Sequence, residues 1–308
     1  CRTTILTQTS TNPDPALAIY AKKTISSTTQ YLGYNASATI YIRYAAGGNT
    51  IRKPLIVAEG FDDGIILKPE QEAGSNNIID FLKSTEFDRS QSFALESEMN
   101  TYDIIYVDWN NGVTFLQRNA YVLQEVIKWV NDNKTTTTPN VVLGQSMGGL
   151  IARYALKDME NRGLPHDTRL YVSHDAPHLG ANTPVSVQSS ARHLRNLYIN
   201  TPIPLVTGEI IVPLIYNFAE GYSSIINFFG GNTTVPPFIT PLQAFSLADT
   251  PATRQMTYNW VNFSSGIDTT IHDAWQQDLA NIGYPTGTPA KPIRNIAIAN
   301  GSECGITQ

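Results

Sequence analysis

Residues 140–152 read Asn140-Val141-Val142-Leu143-Gly144-Gln145-Ser146-Met147-Gly148-Gly149-Leu150-Ile151-Ala152. The stretch changes character at the serine. Before it, Val141-Val142-Leu143 is a short β-branched and aliphatic run that reads as a strand. After it, residues 150–159 read as a helix, closed by Asn161-Arg162-Gly163. A strand that turns straight into a helix needs a sharp bend, and glycines two residues before and after Ser146 keep side chains out of it. Such a bend holds the Ser146 hydroxyl in the open. The start of the following helix places a positive dipole where an oxyanion would develop.

Working outward, further apolar runs bracket this unit. Ser-Ala-Thr-Ile-Tyr-Ile-Arg-Tyr at 37–44, Pro-Leu-Ile-Val-Ala-Glu at 54–59 and Asp-Ile-Ile-Tyr-Val-Asp-Trp at 103–109 read as strands. Residues 170–173 and 293–299 complete the set. Runs this continuous suit a sheet covered on both faces. Between them, Leu116, Ala120, Leu123, Ile127 and Val130 share one helical face. Residues 273–282 form another helix, stopped by Gly283 and Pro285. Alternating strands and helices predict an α/β fold with a doubly wound, mostly parallel sheet. Residues 1–36 read as an N-terminal arm and first strand, and residues 37–308 as one domain. Residues 181–270 break the rhythm with apolar pieces such as those around Tyr216, Phe218, Phe228 and Phe229. They are expected to form a cap or lid above the C-terminal edge of the sheet; an ordinary subdomain is the alternative.

Composition narrows the function classes. Of 308 residues, 15% are charged, against roughly 25% in an average soluble protein. Thr, Asn and Ser take their place, which suits a secreted or cell-surface protein. The net charge is -5 with no basic run, so nucleic acid is not an expected partner. No apolar run approaches the ~18 residues of a membrane span. The two cysteines, Cys1 and Cys304, could join the termini in an oxidising compartment. Cys1 is also the kind of residue that a lipid anchor uses, beside the alternative of a chain start without meaning. No His/Cys/carboxylate group has zinc spacing, and Asp62, Asp63 and Asp88 read as scattered loop acids, so neither metal nor cofactor is expected.

A second segment lies at the end of the strand after the Ser146 helix, the edge where α/β sheets gather their ligands. It reads Asp175-Ala176-Pro177-His178-Leu179-Gly180. Residues 144–149 resemble the nucleophile elbow of α/β-hydrolases. Residues 175–180 resemble a threonine-proline-histidine-x-glycine segment of secreted bacterial lipases and esterases, with Asp where Thr is usual. The resemblance covers residues 38–180 and 292–302, not the segment between. It implies carboxylic-ester hydrolysis on a lipid-like or small acyl ester, through an acyl-enzyme on Ser146. It places the oxyanion hole at the backbone amides of Met147 and Phe61, and the substrate pocket at Gly60, Gln145 and His178.

Acid and base stay open. Asp175 ends the strand after the Ser146 helix, and Glu303 follows the next strand. Among the five histidines, His166 falls at the far end of the sheet, and His174 points away within its strand. His178 shapes the pocket, and His193 lies in the expected cap. His272, at the start of the returning helix, is the in-chain candidate, beside the expectations of a base beyond Gln308 and of a water-exposed His272. Two further readings keep the fold: a surface-binding protein without a base, and an acyltransferase or polyester hydrolase using the same serine.

Overall fold

The computed structural model describes residues 19–62, 77–84, 99–189, 248–262, 264 and 266–299. Within them a seven-stranded sheet forms the frame. Its strands are β1 (Ala21–Ser26), β2 (Ser37–Arg43), β3 (Pro54–Ala58), β4 (Asp103–Trp109), β5 (Asn140–Gln145), β6 (Thr168–His174) and, last in the chain, β9 (Arg294–Ile298). The spatial order is β1-β2-β4-β3-β5-β6-β9. Only β2 runs against its neighbours; β4, β3, β5, β6 and β9 are mutually parallel. The hairpin β7 (Gly287–Thr288) and β8 (Lys291–Pro292) stands apart.

The apolar runs explain the order. β3 and β4 are buried along their whole length and occupy interior positions. β1 and β9, largely exposed, form the two edges. Side chains alternate between faces along each strand. Ile40, Ile56, Ile105, Val107 and Val142 share one core. That core includes residues of α2 (Leu116–Asn133), α3 (Met147–Asn161) and α5 (Thr270–Ile282). Tyr41, Leu55, Val57, Ile104 and Tyr106 pack on the other face with Ile78 and Phe81 of α1 (Ile78–Ser84). Helices thus cover both faces of a mostly parallel sheet. Leu116, Ala120, Leu123, Ile127 and Val130 are fully buried, so the spacing read from the sequence is the packed face of α2. Each of the Leu, Ile and Val side chains among them stabilises the fold by about 1.5–3 kcal/mol.

Residues 190–247, with Tyr216, Phe218, Phe228 and Phe229 of the expected cap, lie outside the described residues, as do residues 1–18 and Cys304. The flanks of that segment are pinned to each other. Ala181 bridges Thr257. Gln188 Nε2 donates to the Asn259 carbonyl, and Gln188 Oε1 accepts from Val261 N. Residues 248–262 carry the short helix α4 (Pro251–Met256), started by Pro251 and capped by the Thr250 hydroxyl. Its Ala252 is buried in the main core.

Candidate active site

Ser146 is the single residue between β5 and α3. Its backbone has φ 50° and ψ -120°, a region costly for any residue with a Cβ. Ser146 N donates to the His174 carbonyl at 2.8 Å, and Gly149 N donates to the Ser146 carbonyl at 3.0 Å, so the bend is held from both sides. A serine at a helix start normally caps a free amide of the first turn. Ser146 makes no such side-chain bond. The bend also explains its glycines. A Cβ on Gly144 would lie 2.5 Å from Gly149 Cα, and one on Gly148 would lie 2.2 Å from the Ala58 carbonyl oxygen. No acidic side chain occupies the first turn of α3, whose positive dipole end lies beside the hydroxyl.

The loop after β3 runs past this bend. A Cβ on Gly60 would sit 3.3 Å from Ser146 Cβ, and the Glu59 carbonyl oxygen rests against Gly148. Met147 and Phe61 thus lie on the two backbone segments that meet at Ser146. Gln145 ends β5 in register with His174 of β6. Asp175 consequently lies one strand spacing from Ser146 at the same edge, about 5 Å in backbone terms. Asp175 also has positive φ, 51°, and its N–H donates to the Ile298 carbonyl at 2.7 Å. Two strained non-glycine residues therefore end two neighbouring parallel strands.

The histidines fall in separate places. His178 Nε2 lies 2.8 Å from Ser173 Oγ. Its Nδ1 is buried without a hydrogen-bond partner. Burial, aided by the Arg153 guanidinium, pushes its pKa down to about 4, so the ring is neutral at pH 7. His166 Nδ1 accepts from Thr168 N at the opposite end of β6. His174 contributes its carbonyl to the Ser146 bend. The expectation of a water-exposed His272 is corrected: it is 2% exposed. Its helix carries it inward between α4 and residue 180, where Nδ1 donates to the Gln255 carbonyl at 2.8 Å. A Cβ on Gly180 would touch the ring, and Tyr258 meets it edge-on. This bond fixes the proton on Nδ1 and leaves Nε2 as the basic nitrogen. No hydrogen bond joins Ser146 Oγ to an imidazole of the described residues. His193, Glu303 and everything past 299 lie outside them.

One feature escaped the sequence. Asp62, read from the sequence as one of three scattered loop acids, is buried with Glu59 and Asp108, their carboxylate oxygens within 4.8 Å of one another. Adjacency of β3 and β4 brings their ends together. Burial and the neighbouring Asp108 and Asp62 hold the Glu59 carboxyl well above the usual range. Among the described residues this is the group whose spacing could hold a cation. The available signal was an acid inside the apolar run 103–109. Asp63 and Asp88 lie outside the described residues.

No family model matches the sequence, and no curated protein does. Among solved structures, the chain is similar to Est1E from Butyrivibrio proteoclasticus, with 13% identity and a TM-score of 0.34. That match covers 56% of this chain and 54% of the other. It is similar to an α/β serine hydrolase of Xanthomonas campestris described as lacking a lid, with 12% identity, TM-score 0.34, and coverage of 52% and 62%. A hyperthermophilic esterase of the archaeon Pyrobaculum calidifontis shares 11% identity over 91% of this chain and 75% of its own, with a TM-score of 0.35. The chain therefore spans little more than half the length of the first two. At these TM-scores the likeness assigns neither family nor activity, and the chemistry is read from this chain's own residues.

Proposed function

We propose that the protein is a serine carboxylic-ester hydrolase of the α/β-hydrolase kind, acting through an acyl-enzyme on Ser146. The observation that carries this reading is the Ser146 bend: a strained serine at a helix start whose hydroxyl caps nothing. Strain of this kind persists where a function uses it. Ser146 Oγ attacks the acyl carbonyl while an imidazole takes its proton. The developing oxyanion is received by the amides of Met147 and Phe61 and by the α3 dipole. The protonated base returns its proton to the leaving alkoxide. Water then repeats the sequence on the acyl-enzyme and frees the acid. Asp175 is the proposed acid and His272 the in-chain base. The substrate is an ester with a lipid-like or small acyl group, bordered by Gly60, Gln145 and His178. The sparse charge suits a secreted or cell-surface setting.

The absence of an imidazole bond to Ser146 Oγ among the described residues favours one second reading, a hydrolase-like fold that binds without turnover. A fluorophosphonate probe and an activated short-chain ester separate the two. The hydrolase reading expects labelling confined to Ser146 and turnover abolished by Ser146→Ala, with a loss of several orders of magnitude. A folded protein that neither labels nor turns over supports the binding reading. Transfer of the acyl group to an added alcohol in preference to water would instead identify an acyltransferase.

A further inference from the structure

Glu59 is placed where it can govern the loop that faces Ser146. Its backbone leaves β3 and enters the segment 59–62. Its carboxyl group is anchored to the end of β4: Trp109 N donates to Oε1, and Tyr106 OH donates to Oε2 at 3.4 Å. Its carbonyl accepts from Trp109 Nε1 at 3.2 Å. The same carbonyl oxygen lies 2.3 Å from where a Gly148 Cβ would be, against the first turn of α3. The next residue, Gly60, borders Ser146 Cβ. Glu59 thus ties the loop to the β4 end through its carboxyl and carbonyl groups, and its carbonyl oxygen borders the first turn of α3. Burial and the facing carboxylates of Asp108 on β4 and Asp62 on the loop raise the Glu59 pKa well above the usual range, against the Trp109 and Tyr106 hydrogen bonds, which lower it. A glutamine amide keeps the oxygen that accepts from Trp109 N and can donate its NH2 to the Tyr106 oxygen in place of the bond that Oε2 accepts.

We infer that Glu59 is the positioning residue of the oxyanion loop, setting the Phe61 amide against Ser146 through its bonds to Trp109 and Tyr106. The inference rests on the ester-hydrolase reading of Ser146. Glu59 touches no substrate; it acts through the loop. A donor displaced by about 1 Å costs most in the transition state and little in ground-state binding.

The test compares Glu59→Gln, Glu59→Ala and Trp109→Phe on an activated ester, with kcat and KM determined separately. Glu59→Ala is expected to lower kcat about 10–100-fold with KM within twofold. Glu59→Gln is expected to keep most of the wild-type kcat. Trp109→Phe, which removes only the indole bond to the Glu59 carbonyl, is expected to fall between them and guards against a misfolded alanine variant. Equal losses in the Gln and Ala variants, or a kcat unchanged in both Glu59→Ala and Trp109→Phe, would overturn the inference. If the wild-type protein turns over no ester, the reading of Ser146 fails. Hydrogen exchange at the amides of 59–62 then still decides the positioning role. Protection kept in Glu59→Gln and lost in Trp109→Phe supports it; unchanged protection in Trp109→Phe overturns it.

Discussion

At the scale of single residues, the bend at Ser146 trades stability for chemistry. A Cβ in this backbone region costs of order 1–3 kcal/mol, a strain that glycine relieves. Ser146→Gly is therefore expected to unfold at higher urea, by about 1 kcal/mol, while losing all ester hydrolysis. Ser146→Ala keeps its Cβ and should show the same loss of activity without the gain in stability. Equal stabilities for the two variants would show that the bend stores no strain. The serine was legible because its requirement is local: glycines at fixed offsets, a strand before and a helix after. Glu59 and Asp108 were not, since they meet only because β3 and β4 are neighbours. The same holds for His272, whose burial depends on Gln255 and Gly180.

At the scale of elements, α3 carries the nucleophile and must be fixed along its length. Arg153 does this from its middle. Its Nε donates to the Gly283 carbonyl at 2.8 Å and Nη2 to the Leu279 carbonyl at 2.7 Å, binding the C-terminal end of α5. The guanidinium also lies 3.7 Å over the Tyr284 ring. Cations suit helix C-termini, and charge-assisted bonds exceed neutral ones. Arg153→Ala is expected to cost about 2 kcal/mol in urea unfolding, because two carbonyls lose their donor. Arg153 also holds down the His178 pKa, second to burial. The variant should therefore show His178 titrating above about 4 by NMR. An unmoved His178 titration would remove Arg153 from the electrostatics of the 175–180 loop. The helical face of α2 was legible from period alone, and α3 from the closing residues 161–163. The short helix α4 was not, because only Thr250-Pro251 marks it within a segment otherwise unlike the sheet's rhythm.

At the scale of the whole molecule, the alternation of strands and helices fixed the class of fold but not the strand order. The reversal of β2 and the addition of β1 at the edge depend on pairing between segments, which no single run encodes. Global stability then inherits the titrations that this packing creates. In the unfolded chain an imidazole takes up its proton near 6.5, whereas folded His178 does so only near about 4. Between those values the unfolded state binds more protons, so stability is full above 6.5 and is lost as pH falls toward 4. His166, also held down by burial, adds in the same direction. Glu59 works oppositely. Its folded pKa is raised, so above the ordinary 4.5 the folded state keeps a proton that the unfolded chain has released. Its contribution is greatest below 4.5 and declines as pH rises. On acidification from pH 7 to 5 the two histidines lower the thermal midpoint of the wild-type protein and Glu59 offsets part of that fall. His178→Gln should flatten that fall, since glutamine does not titrate. Glu59→Gln, which removes that offset, should steepen the histidine-driven fall and raise the midpoint at pH 8 by a few degrees, the scale of about 1 kcal/mol in a protein this size. Calorimetry of the three proteins between pH 5 and 8 checks both limbs. An acid slope identical in wild type and His178→Gln would mean that His178 is not the buried neutral imidazole its contacts with Ser173 and Tyr284 require.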